Sequence, residues 1–128
     1  MYKDVPYRLY SLFSYEGIVR EGIKHSKYGL YEFSILKKLT SFGISGHTTD
    51  IESLSESIFV PVPVSHQKLM KRGFNHAELI AQIIARSLKN TRVIDILNRC
   101  VDTPTQHDLD RAKRFENIKN AFSLKKNS

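Results

Sequence analysis

The segment from Ser57 to Asn75, SIFVPVPVSHQKLMKRGFN, constrains the fold more than any other part of the chain. It opens with an apolar run, Ile58 to Val62, which predicts a strand buried on both faces, as in a parallel sheet. Proline has no N–H to give to a ladder, so Pro61 and Pro63 must lie where pairing ends. The chain therefore leaves the sheet at the carboxyl end of this strand. The helix that follows has a legible start. Asn75 is a good N-cap, Glu78 can close a capping box, and Phe74 with Leu79 forms a hydrophobic staple. Ala77, Ile80, Ala81, Ile84 and Leu88 recur at helical spacing and form its buried stripe. TRVIDIL, 91–97, reads as a second strand. Strand, loop, helix and strand across 57–97 make a βαβ unit with a right-handed crossover, so the class is α/β.

In open α/β sheets, ligands bind beyond the carboxyl ends of the strands, and SHQKLMKRG, 65–73, reads as a loop at that address. Lys68, Lys71 and Arg72 cluster there, with no acid between Glu56 and Glu78. The helix N-terminus behind Asn75 adds unpaired N–H groups and partial positive charge. Gly73 can turn with positive φ or let backbone approach a ligand closely. Lys68, Lys71, Arg72, Gly73 and Asn75 together suit a phosphate or pyrophosphate. A solvated basic loop before an ordinary capped helix is the other reading. The net charge of +7, from 20 Lys and Arg against 13 Asp and Glu, fits an anionic partner or simple solubility. The single cysteine, Cys100, excludes an internal disulfide and a multi-cysteine zinc site; no metal-ligating residue is singled out. With no membrane-length apolar run and no signal-peptide stretch, a cytoplasmic protein is expected.

Elsewhere, YRLYSLFSY, 7–15, reads as a strand, with Tyr7, Tyr10, Phe13 and Tyr15 at core-like spacing. Ile18, Val19, Gly22 and Ile23 mark one helix; Phe33, Leu36 and Leu39 mark another, with a break at Tyr28-Gly29. GISGHTTD, 43–50, reads as a loop, and His66, His76 and His107 are expected to face solvent. Arg111, Arg114 and Asn117 fall at i, i+3 and i+6, beside an apolar stripe of Leu109, Ala112, Phe115 and Ile118. Periodicity alone makes that an amphipathic helix with a solvated basic face.

The segment VPVPVSHQKLMKRGFNHAELIA resembles the Pro-Val-Pro … Arg-Gly-Phe-Asn-Gln-Ala stretch of ComF-type proteins, the competence-associated phosphoribosyltransferase-like family. NRCVDTPTQHDLDRAKRFENIKNAF, 98–122, is similar to the family's second signature, at Arg99, Thr103, Pro104, Gln106, Leu109, Arg114, Asn117, Ala121 and Phe122. YEGIVREGIKHSKYG looks like its upstream Tyr-x-Gly … Lys-Tyr-x-Gly stretch, with His25 and Ser26 before Lys27 and Tyr28. The resemblance runs from about 7 to 122. It implies a type I phosphoribosyltransferase-like parallel sheet with flanking helices. It also implies that the 64–74 loop meets the pyrophosphate of phosphoribosyl pyrophosphate (PRPP), bound with Mg2+. The 103–117 segment would be a flexible catalytic loop carrying Gln106, Arg111, Arg114 and Asn117. Fixed cations and N–H donors would stabilise the departing pyrophosphate, and a lid would exclude water. Family partners would be single-stranded DNA and a competence helicase.

Two parts of the family pattern have no counterpart: a cysteine-rich zinc module, and a strand with adjacent aspartates and a Thr-Thr-Gly turn that holds the ribose and its 5-phosphate. No two acidic residues are adjacent anywhere in the sequence, and the nearest imitation, TTDIE at 48–52, lacks the glycine. The expectation is a single, C-terminally incomplete domain, with an N-terminal region at 1–50, the βαβ unit at 57–97, and the catalytic-type loop and following strand at 99–122. Such a chain would be inactive alone, and its open sheet would offer an edge to a complementing C-terminal fragment. The alternative is a single-stranded nucleic-acid-binding or non-catalytic interaction module of the competence machinery. Detectable PRPP turnover by the purified chain would overturn the expected inactivity.

Overall fold

The computed structural model describes residues 8–28, 32–101 and 110–126. The chain is a mixed arrangement of helices and small sheets, compatible with the α/β class. In order the elements are α1 (Gly17–Tyr28), α2 (Glu32–Gly46), α3 (Thr48–Glu52), β1 (Ile58–Phe59), α4 (His66–Arg72), α5 (His76–Arg86), β2 (Arg92–Val93), β3 (Leu97–Arg99), α6 (Arg111–Ile118) and β4 (Phe122–Leu124).

β1 and β2 run parallel, with Ile58 opposite Arg92 and Phe59 opposite Val93. Arg92 N–H donates to Ser57 O at 3.2 Å and Ile94 N–H to Phe59 O at 2.9 Å, so residues 57 and 59 turn their main-chain groups toward β2. The next donor in that series belongs to residue 61, which is proline, and the ladder stops. The prolines thus end the strand for the reason their chemistry supplies. Freed from β1, the chain after Ile94 takes a new partner. β3 pairs antiparallel with β4, with Leu97 opposite Leu124 and Arg99 opposite Phe122. Lys125 N–H to Ile96 O and Cys100 N–H to Ala121 O, both 2.8 Å, extend this stem at its two ends. The strand expected at 91–97 is therefore two short strands in different sheets.

The helices pack on one another through α1 and α2, and α2 and α5. Small residues make the approach close: a Cβ on Gly22 of α1 would lie 3.0 Å from Leu39 Cδ1 of α2. Leu36 and Thr40 of α2 are buried, the Thr40 hydroxyl donating to Leu36 O at 2.8 Å. Ser26, fully buried on α1, donates its hydroxyl to Ile23 O at 2.7 Å.

Several expectations are corrected. Residues 8–15 form no strand; Leu12 and Phe13 instead pack over Gly43, and the Phe13 ring stacks on Phe42 with centroids 6.3 Å apart. Tyr10 and Tyr15 are exposed rather than buried, at 41% and 51%, while Tyr7 lies outside the described residues. Tyr10 has its pKa lowered by a hydrogen bond with Ser53 first and by Arg8 second. The 43–50 loop is helical: α2 runs on to Gly46 and α3 follows, anchored by buried Ile51. Gly43 serves close packing, not a turn. The 65–73 loop is α4. Nor is the strand run buried on both faces. Pro61 is buried and Phe59 half-buried, but Ile58, Val60 and Val62 are exposed, because no described element covers that face.

A Cβ at Gly43 would stand 2.9 Å from Phe13 Cε2 and 3.0 Å from Leu12 Cβ, an atom too near the backbone to swing away. Gly43→Ala is expected to destabilise the fold by about 1–3 kcal/mol through overpacking. Gly46→Ala, with nothing within 4 Å, should be neutral or better. Thermal denaturation followed by circular dichroism compares the two.

Candidate functional site

The site begins where β1 ends. Beyond Pro61 and Pro63, buried Ser65 caps α4, its hydroxyl accepting from Lys68 N–H at 3.4 Å. Gly73 ends α4 at φ +80, the left-handed conformation in which glycine is favoured, and its N–H donates to Leu69 O at 2.7 Å. Only Phe74 then separates Gly73 from Asn75, the N-cap of α5.

Asn75 makes two bonds of different kinds. Its Oδ1 accepts from Ala77 N–H at 3.1 Å, capping α5, while its Nδ2 donates to Val62 O at 3.0 Å. The second bond ties the helix N-terminus to the carboxyl end of β1. Glu78 does not complete a capping box; its carboxylate accepts from Gln82 Nε2 at 3.3 Å. His76 fixes the same helix end from the other side. Its Nε2 donates to Ser26 O on α1 at 3.0 Å, and its ring stacks on Phe74 with centroids 4.6 Å apart. Phe74 in turn meets Phe33 edge-on at 5.9 Å. His76 is therefore half-buried and structural, not solvent-facing; His66 is exposed, and His107 lies outside the described residues.

Between this turn and the β3–β4 stem lies a cleft of about 200 Å³. Its polar lining includes His66, Asn75 and Glu78 on one side and Asp95, Arg99 and Lys125 on the other. Lys125 Nζ pairs with Asp95 Oδ2. The Arg99 guanidinium sits 5.5 Å over the Phe122 ring, and its Nε donates to Val101 O at 3.3 Å. The cleft thus carries both signs of charge, beside two helix termini and a strand end.

Of the expected anion-binding residues, Asn75 lines this cleft. Lys68, Lys71 and Arg72 lie at i, i+3 and i+4 on α4 and share one face, while His66 and Leu69 turn another face to the cleft. The cations flank the cleft rather than line it. Lys71 and Arg72 fall in the last turn of α4, where the helix dipole also favours positive charge. Gln106 lies outside the described residues. Arg111, Arg114 and Asn117 fall on α6, and their side chains also lie outside the description. Among the described residues, no group of three His, Cys, Asp or Glu is arranged to hold a metal ion, and no helix is long and apolar enough to cross a membrane.

The sequence reading missed α4 and the cleft's far wall. Ser65 and Gly73, a good N-cap and a good C-terminal glycine eight residues apart, were the available signal for the helix. Nothing local pairs Asp95 with Lys125.

Part of the chain is similar to known proteins. Over 71 residues, 56% of this chain, it is 41% identical to Competence protein F of Haemophilus influenzae, covering 31% of that protein. Over 65 residues it is 37% identical to the DNA utilization protein YhgH of Escherichia coli K12, and likewise of Salmonella typhi, covering 29% of each. The chain thus matches less than a third of the length of these relatives. No family model and no solved structure matches it. About half of the chain is thus similar to part of proteins named for competence and for DNA utilization.

Asn75→Ala removes both bonds and should cost about 1–2 kcal/mol in urea unfolding. Asn75→Asp retains the cap but sets a carboxylate against Val62 O, so it should fall between wild type and Ala. An Asp variant as stable as wild type would show that the Val62 bond contributes nothing.

Proposed function

We propose that the chain is a ComF-type, phosphoribosyltransferase-like protein of DNA uptake whose Ser65–Asn75 turn binds the diphosphate of PRPP. The observation that carries this reading is the Asn75–Val62 bond, which holds the N-terminus of α5 at the carboxyl end of a parallel strand. That is where α/β folds receive phosphorylated ligands. Lys71, Arg72 and Gly73 come immediately before it, and the helix N-terminus supplies N–H donors. A type I phosphoribosyltransferase-like sheet is part of the proposal. It is supported by the parallel pair β1–β2 and by the β3–β4 stem, from which the 100–121 segment departs.

In this reading Lys68, Lys71 and Arg72 neutralise diphosphate oxygens around the end of α4, while Asn75 orients the α5 amides. Gln106, Arg111, Arg114 and Asn117 would approach from the segment after β3. Mg2+ enters as part of the Mg-PRPP ligand, and no step is assigned to a resident ion. The proposal concerns binding. The aspartate pair that the resemblance calls for to hold ribose has no counterpart in this sequence.

Calorimetric titration of the purified chain with Mg-PRPP and with diphosphate tests it. Arg72→Ala and Lys71→Ala should each weaken binding roughly tenfold, the worth of one charge-assisted hydrogen bond. Lys37→Ala, an exposed cation on α2, should change nothing. Equal binding by Arg72→Ala removes the turn from the site.

A second reading has its own observation. Tyr10, Tyr15 and Phe42 are exposed, on a chain of net charge +7. Aromatics beside cations suit single-stranded DNA, and a helicase partner would act on the same strand. Binding of labelled single-stranded DNA should then weaken steeply as salt rises. No shift at low salt ends this reading.

A further inference from the structure

The far wall of the cleft carries an ion pair that the diphosphate reading leaves unused. Asp95 follows Ile94, whose N–H makes the last bond of the parallel ladder to Phe59 O, so Asp95 stands at the carboxyl end of β2. Lys125 follows β4, and its ammonium pairs with the Asp95 carboxylate. Both line the cleft, opposite Asn75 at the start of α5. The pair therefore sits at the strand ends where α/β sheets receive ligands.

The pair is not what fixes Lys125 in place. Its main chain does so, the N–H donating to Ile96 O at 2.8 Å beside the Leu97–Leu124 register position. The side chain of Lys125 is 46% exposed and that of Asp95 51%. An ion pair so exposed is worth at most about fivefold in an equilibrium, so the ammonium can change partners at small cost. Charge in the cleft is balanced at rest: Glu78 and Asp95 oppose Arg99 and Lys125, on a chain of net charge +7. Arg99 is already turned to Val101 O and the Phe122 ring, which makes Lys125 the cation that can be redirected. Room is sufficient. The cleft's 200 Å³ is the liquid volume of several waters at about 30 Å³ each, enough for a small anion.

We propose that Lys125 is a second cationic arm of the diphosphate site and that Asp95 is its built-in competitor, released when the ligand takes the ammonium. This rests on the reading that the Ser65–Asn75 turn binds diphosphate, and adds to it a residue from the opposite wall. Diphosphate is then held by α5 N–H groups on one side and by Lys125 on the other. Binding exchanges one partner of Lys125 for another. A carboxylate already in place works against weak monoanions, while a multiply charged ligand still displaces it.

Calorimetric titration with diphosphate of wild type, Asp95→Asn, Lys125→Ala and the double variant reads the exchange. Asp95→Asn should tighten binding by about threefold to tenfold, and Lys125→Ala should weaken it by a similar factor. In the Lys125→Ala background the gain from Asp95→Asn should shrink by the worth of the pair, roughly threefold. A carboxylate that only repels the ligand, its ion pair intact on binding, would give the same gain in both backgrounds. Asp50→Asn, an exposed carboxylate on α3, should change affinity by less than about twofold. The substitutions keep the main-chain bond of residue 125, so circular dichroism should be unchanged. Lys125→Met, which keeps an aliphatic stem, repeats the comparison if alanine disturbs the fold. Equal gains in the two backgrounds, or no gain from Asp95→Asn, overturn the exchange, while a loss in Arg72→Ala would still keep the turn in the site. Coupling between Asp95 and Lys125 without an Arg72→Ala effect keeps the exchange and removes the turn. No diphosphate binding by wild type or by Asp95→Asn overturns both.

Discussion

The start of α5 is held from two directions, and the arrangement of the rest depends on that clamp. Asn75 reaches back to the Val62 carbonyl, and His76 reaches across to the Ser26 carbonyl on α1. Helix N-termini carry N–H groups that no intrahelical acceptor satisfies, and buried carbonyls need donors. Asn75 caps one such N–H while bonding the strand end, and His76 serves the carbonyl of buried Ser26, so the parallel strand unit and the helical layer share one fixed point. Phe74, between the clamp and Gly73, fills the space beside it by meeting Phe33 and His76. The cleft lies against this point, which gives its near wall a defined position relative to β1.

The strand segment shows how one residue type can set topology on both sides of itself. Pro61 falls where the next ladder donor is due, and the chain after Ile94 is released to form a second, antiparallel sheet with β4. The mixed character of the fold follows from that interruption. The alternation of main-chain groups keeps the donors that the prolines lack on the β2 side of the strand alone.

Much of the central unit was legible because its signals are local and redundant. The prolines ended the ladder, Asn75 capped α5, and Gly73 turned with positive φ, each for the reason its own chemistry supplies. What was not legible depended on partners distant in sequence. The aromatic 8–15 segment has strand-like composition but found no strand to pair with, and packed on Gly43 instead. His76 looked like a surface histidine because its acceptor is fifty residues away. The cleft needed Asp95 and Lys125 brought together by a pairing that neither strand's own pattern specifies. α4 is a different case: Ser65 and Gly73 bracketed it, but a short basic stretch at a ligand-binding address resembles a loop in composition.

The β3–β4 stem has a consequence for the chain between its strands. Cys100 N–H on Ala121 O closes the excursion at its base, so the chain that leaves β3 and returns through α6 to β4 has its ends already joined. The entropy of such a closure grows only with the logarithm of its length, about 0.6 kcal/mol for each doubling. Extra residues in the excursion would therefore weigh little on the fold, while a change at its base, where Ala121 is 1% exposed, would be felt throughout the stem.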